Sequence, residues 1–192
     1  MTKRQKKKLI SVFIALIVAA AGYFAALSKP EQTAQLLGTS TNGTYRVTQF
    51  ADGDTITVDM NGKEEKIRMI GVDTPETHDP RKAVQCFGQA ASDFTKQLIG
   101  SNTVRLEADD LSSNRDRYDR LLRYVYLPDG RLVQAEIIKQ GYGFAYTSFP
   151  FTKSDEFKSY EQAAKSSNLG LWGGCQVETK STGQKQTQDA RP

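Results

Sequence analysis

Asn61-Gly62 separates two runs whose apolar residues alternate: T-I-T-V-D-M at 55–60, with Ile56, Val58 and Met60, and E-K-I-R-M-I-G-V at 65–72. Both turn positions tolerate a positive φ, so the pair reads as a tight hairpin and the runs as antiparallel neighbours. A third strand, Y-R-V-T-Q-F-A at 45–51, precedes them. Two more follow at T-V-R-L-E-A (103–108) and L-L-R-Y-V-Y-L (121–127), the latter closed by Pro128-Asp129-Gly130.

Helical spacing accounts for the intervening segments. Phe87, Ala90, Ala91, Phe94 and Leu98 recur on one face and stop at Gly100; Leu132 to Gln140 is a short second helix; Ser154 to Ser167 places Phe157, Tyr160 and Ala164 together. Three strands, a helix, two strands and two helices predict an α+β fold: a five-stranded OB-fold barrel with three packed helices. At 192 residues the chain has room for one such domain plus extensions.

The extensions are legible by composition. K-R-Q-K-K-K at 3–8 precedes an almost uncharged apolar run from Leu9 to Leu27, close to the ~20 residues needed to cross a bilayer. Residues 1–28 are therefore expected to be a basic flank and a transmembrane anchor, or a signal peptide cleaved after an Ala26-Leu27-Ser28 site; the length favours the anchor. Residues 29–43 are polar and read as a linker, residues 44–175 as the domain, and residues 176–192 as a disordered tail. The domain is expected to lie outside the cytoplasm, tethered to the membrane or secreted. Nothing suggests a coiled coil or repeat, and a monomer is expected.

The net charge of +4 invites a broad basic field for nucleic acid, but its distribution excludes one. Five positive charges precede residue 9, and Thr44 to Cys175 holds 17 Lys and Arg against 19 Asp and Glu. Any affinity for nucleic acid must come from a local arrangement.

One arrangement stands out. In R-M-I-G-V-D-T-P-E (68–76) a strand delivers an arginine and then two acids, while Asp52-Gly53-Asp54 closes the first strand run. Asp54, Asp73 and Glu76 can converge from neighbouring strand ends. Carboxylates so placed repel unless a cation lies among them, and an oxygen-liking ion such as calcium would satisfy them. The alternative is that both segments are turn chemistry only.

Order and spacing favour the first reading. D-G-D-T at 52–55, R-M-I-G-V-D-T-P-E-T at 68–77, F-G-Q-A-A-S-D-F-T-K at 87–96, D-R-Y-D-R at 116–120 and G-L-W-G at 170–173 together resemble the micrococcal (staphylococcal) nuclease, or thermonuclease, family, from about Tyr45 to Trp172. The resemblance implies Asp54, Asp73 and the Thr74 carbonyl as calcium ligands, and Glu76 as the carboxylate that holds or activates the attacking water. It implies Arg68 and Arg120 as contacts to the scissile phosphate, and cleavage on the 5′ side leaving a 3′-phosphate. Tyr118 and Tyr146 match tyrosines near the nucleotide, where rings stack unpaired bases. Packing within the Tyr142, Phe144, Tyr146 and Phe149 cluster is the other reading of Tyr146.

The expected activity is calcium-dependent hydrolysis of DNA and RNA, single strands preferred. The alternative is a non-catalytic nucleic-acid-binding module tethered to the membrane. One departure bears on this: Asp119 stands in Tyr118-Asp119-Arg120 where the family usually has glycine, so it would pair with Arg120, weaken phosphate approach or face solvent. His78, the only histidine, reads as a surface residue. Cys86 and Cys175, both beyond the apolar run, would form one disulfide or remain two thiols.

Overall fold

The computed structural model describes residues 43–77, 84–101 and 103–190. The expected anchor, most of the expected linker and His78 lie outside the described residues. Among the described residues no helix is long and apolar enough to cross a membrane.

Five strands close a barrel. β1 (Thr44–Asp52) pairs with β2 (Thr55–Met60), and β2 with β3 (Lys63–Met69), through the hairpin in which Asn61 and Gly62 take φ of 59° and 87°. Gly62 N–H donates to Asp59 Oδ1 at 2.6 Å, securing the turn. After the two-residue β4 (Val72–Asp73), helix α1 (Gly88–Ile99) leads into β5 (Thr103–Glu107), and β6 (Leu121–Tyr126) inserts parallel to β3 while pairing antiparallel with β5. Tyr45 opposite Val104 then joins β1 to β5. Two register irregularities in β1 give the curvature that closure demands.

Alternation fills the barrel. Ile56, Val58, Ile67, Met69, Val104, Leu106 and Val125 are buried within one core. Arg68, between Ile67 and Met69, necessarily faces the other way, toward the cleft described below. That is how the expected strand delivers a charge to the site.

The three expected helices are present. α1 buries Ala91, Thr95 and Ile99, α2 (Val133–Lys139) buries Ile137 and Ile138, and α3 (Ser154–Ser166) buries Phe157 and Ala164. Between them β7 (Phe144–Ala145) pairs with β4, and a one-turn α4 (Leu171–Gly174) ends the body. Elements this short carry no period and were not legible.

The expectation of a disordered tail is corrected. β8 (Val177–Thr179) and β9 (Lys185–Thr187) form a hairpin, described to residue 190. Its ties are polar and so leave no hydrophobic pattern in the sequence. Cys86 N–H donates to the Gln188 carbonyl at 2.8 Å, Ala190 N–H to Val84 at 2.7 Å, and the Thr187 hydroxyl to the Cys86 carbonyl at 2.7 Å. Lys185 Nζ lies 2.7 and 3.0 Å from the two Glu161 carboxylate oxygens. Cys86 and Cys175 are joined as a disulfide, with Cα atoms 6.0 Å apart, at the point where the body gives way to the hairpin.

Candidate active site

The turn between β1 and β2 carries Asp54 and is pressed against α1. The Thr95 hydroxyl donates to the Gly53 carbonyl at 2.6 Å. A Cβ on Gly53 would lie 2.8 Å from Thr74 Cγ2 and 3.1 Å from the Ala91 carbonyl carbon, so glycine is required by close approach. Asp54 is thereby buried. Its Oδ2 accepts the Thr74 N–H at 2.9 Å and the Thr74 hydroxyl at 3.2 Å, and its Oδ1 accepts the Thr55 hydroxyl at 2.9 Å.

Arg68 links the acids. Its Nη2 lies 3.3 Å from Asp54 Oδ2 and 2.9 Å from Asp73 Oδ1, while Nη1 donates to the carbonyls of Met69 at 2.9 Å and Val72 at 2.6 Å. Burial alone would lower the guanidinium's pKa. The charges of Asp54 and then Asp73 outweigh it and hold Arg68 above its ordinary value. Burial also pushes the Asp73 carboxyl up, opposed by Arg68 and reinforced by Asp54. The second Asp73 oxygen, Oδ2, accepts the Gln184 amide from the C-terminal hairpin at 3.2 Å.

Arg120 stands on the other side of Asp54. Its Nε and Nη2 lie 2.7 and 2.6 Å from Asp116 Oδ2, and its Nη1 reaches the Thr55 hydroxyl at 3.5 Å. Burial acts to raise the Asp116 carboxyl, but the hydrogen bonds from Arg120 and the Tyr118 N–H prevail and hold it below the usual range. Polar contacts therefore run unbroken from Asp116 through Arg120, Thr55, Asp54, Arg68 and Asp73 to Gln184.

Asp119 takes no part in them. It adopts φ of 64°, its side chain is exposed, and its Oδ1 lies 3.5 Å from Arg115 Nε. Of the three outcomes open in the sequence, the structure has the solvent-facing one.

The convergence expected of three acids is corrected to two. Asp54 and Asp73 meet at Arg68; among the described residues no group of three or more His, Cys, Asp and Glu side chains is placed to hold a metal ion. Glu76 is held by the segment leading into α1: its N–H donates to Gln85 Oε1 at 2.8 Å, its carbonyl accepts the Gln85 N–H at 2.9 Å, and its Oε1 accepts the Thr77 N–H at 2.9 Å. Thr74, expected to lend its carbonyl, is engaged with Asp54 through its N–H and hydroxyl. The donors present are all oxygen, and two carboxylates against one guanidinium leave a net charge of −1. That chemistry fits a hard cation such as calcium, with further oxygen from main chain and water.

A cleft of about 620 Å³ opens over the network, lined by Arg68, Asp73, Arg120, Tyr118 and Tyr146 among others. Tyr118 is exposed at its mouth, its ring 4.8 Å from the Arg117 guanidinium and 5.4 Å from that of Arg120. Tyr146 is set by its N–H bond to the Gly71 carbonyl at 2.8 Å, and its ring lies 6.0 Å from that of exposed Phe149. It lines the cleft while its ring packs on Phe149.

Sequence reasoning missed Asp116, Thr55, Gln85 and Gln184. The i, i+4 spacing of Asp116 and Arg120 was a usable signal. Gln184, 111 residues from its partner, had none.

The site is thus an OB-type barrel whose cleft is lined by Arg68, which bridges two carboxylates, and by a second arginine, Arg120. The chain belongs to the staphylococcal nuclease family: the family described as "Staphylococcal nuclease homologue" matches residues 66–174. It is 40% identical over 154 residues to a thermonuclease of Staphylococcus hyicus, covering 80% of this chain and 88% of that protein. It is 46% identical over 123 residues to endonuclease YncB of Bacillus subtilis, covering 63% of this chain and 57% of the relative. It is 41% identical over 154 residues to the SPbeta prophage-derived endonuclease YokF of the same organism, covering 73% and 51%. The chain thus spans about half the length of these two Bacillus relatives.

Proposed function

We propose that this protein is a calcium-dependent endonuclease that hydrolyses phosphodiester bonds of DNA and RNA, with single strands preferred. The observation that carries this reading is Arg68 bridging Asp54 and Asp73 in a site whose cleft is lined by Arg68, Asp73 and Arg120 together. Relatives named thermonuclease and endonuclease support it.

Hydrolysis needs a water aimed in line with the leaving oxygen and adds negative charge to an existing anion. Glu76 orients that water or takes its proton. As the water oxygen bonds to phosphorus, the bond to the 5′ oxygen breaks; that oxygen takes a proton, leaving a 3′-phosphate and a 5′-hydroxyl. Arg120 and Arg68 offset the growing charge with fixed positive charges. Asp54, Asp73 and the Thr74 carbonyl would hold calcium, which when bound supplies positive charge to the phosphate oxygens. Tyr118 and Tyr146 offer ring faces to unpaired bases.

We further propose that the domain acts outside the cytoplasm, anchored by residues 1–28 or secreted after their cleavage. The basic flank, the apolar run and the paired cysteines support this.

The test is cleavage of denatured DNA by the purified full chain with calcium and with chelator, beside Glu76→Gln. Calcium-dependent cutting, lost in the variant, is expected. A folded wild type that bound DNA without cutting it under either condition would replace this reading with the binding-module alternative.

A further inference from the structure

The family match ends at residue 174, and the chain continues past the disulfide at Cys175. That continuation is the β8–β9 hairpin, and it reaches the site. Gln184, half-buried just before the final strand, donates its amide to Asp73 Oδ2 at 3.2 Å and lines the cleft with Arg68 and Asp73.

The hairpin is secured on both sides of the site. Toward the Glu76 loop, the Gln188 carbonyl accepts the Cys86 N–H, and the neighbouring Gln85 holds Glu76 main chain. Toward the Asp73 strand, Lys185 pairs with Glu161, whose Oε1 also accepts the Ala145 N–H at 3.0 Å; Ala145 and Phe144 pair with Val72 and Asp73. A contact so braced has a defined direction.

We propose that Gln184 is a positioning residue for Asp73, carried to the site by the C-terminal hairpin. Asp73 is largely buried where it lines the cleft and its two oxygens face different partners: Arg68 fixes Oδ1 and Gln184 fixes Oδ2. A carboxylate held at both ends offers its remaining lone pairs in one orientation, so a cation meets it without reordering cost. A neutral amide does this without cancelling the charge that the cation requires. This inference rests on the calcium reading of the site.

The experiment is calorimetric titration of calcium alone into the full chain, its Gln184→Ala variant, Asp73→Asn, and the double variant. Gln184→Ala should weaken calcium binding about tenfold or more and raise KM for denatured DNA, with the melting temperature in chelator unchanged. In the Asp73→Asn background the same change should do nothing, because Gln184 acts only through Asp73. Equal calcium affinity of wild type and Gln184→Ala would overturn the proposal while leaving the nuclease reading intact, as would an equal loss in both backgrounds. A wild type that takes no calcium would overturn both.

Discussion

Arg120 is bound by Asp116, four residues before it, with Nε and Nη2 both on the single oxygen Oδ2 and the Arg120 N–H on Oδ1 at 3.0 Å. The pair is partly buried and aims the guanidinium along the cleft toward Thr55. Asp116→Ala should leave Arg120 charged but misaimed, lowering kcat/KM for denatured DNA about 100-fold. Steady-state cleavage assays would check this, and an unchanged rate would remove Asp116 from the site.

Asp119 predicts the opposite. Its side chain is exposed and its backbone is left-handed, a conformation that costs a residue other than glycine about 1–2 kcal/mol, less for aspartate. Asp119→Gly should keep full activity and at least wild-type stability, whereas Asp119→Ala should lose about 1 kcal/mol in urea unfolding. A large gain in cleavage by the glycine variant would mean that the added carboxylate does repel the phosphate.

Gly53 tests the packing behind Asp54. An added methyl meets Thr74 and the α1 backbone, so Gly53→Ala should cost about 1–3 kcal/mol of stability and lower cleavage by shifting Asp54. Thermal unfolding and cleavage measured on the same preparation would show both losses together.

Asp109 sets an acid limit on the fold. Burial works against its ionised form, but the Thr152 and Tyr124 hydroxyls, the Thr152 N–H and the Leu111 N–H prevail and depress its carboxyl pKa. A depressed folded pKa contributes stability above the unfolded value of about 3.9, and that stability is lost as pH falls through the lower folded value. Stability should therefore decline below about pH 5 in part through this residue, and Asp109→Asn should flatten the decline. Urea midpoints from pH 7 to 2.5 would read the difference.

The disulfide closes a span of 89 residues. On the loop-entropy account its loss costs about 4–5 kcal/mol, so Cys86→Ser with Cys175→Ser should unfold at much lower urea. Mass spectrometry of non-reduced peptides from wild type should find the two cysteines linked.

The barrel was legible because its causes are local and periodic. Ile56, Val58, Ile67 and Met69 alternate, Asn61-Gly62 accepts positive φ, and the three helices bury residues three and four apart. Helix ends agreed to within a residue or two. The two-residue strands β4 and β7 were not legible, since pairing between Asp73 and Phe144 across 71 positions has no local signature.

The site divides in the same way. Sequence alone determined the chemical kinds, two arginines and a set of acids at fixed spacing, because a strand's alternation already dictates that Arg68 leaves the core while Ile67 and Met69 enter it. Only the tertiary structure decided the partners. It put Asp54 and Asp73 on one guanidinium, gave Arg120 to Asp116 in place of its neighbour Asp119, held Glu76 with Gln85, and brought Gln184 across the chain to Asp73. Hydrogen bonds between distant residues depend on where closed strands and braced hairpins bring single atoms within about 3 Å, and no pattern along the chain records that distance.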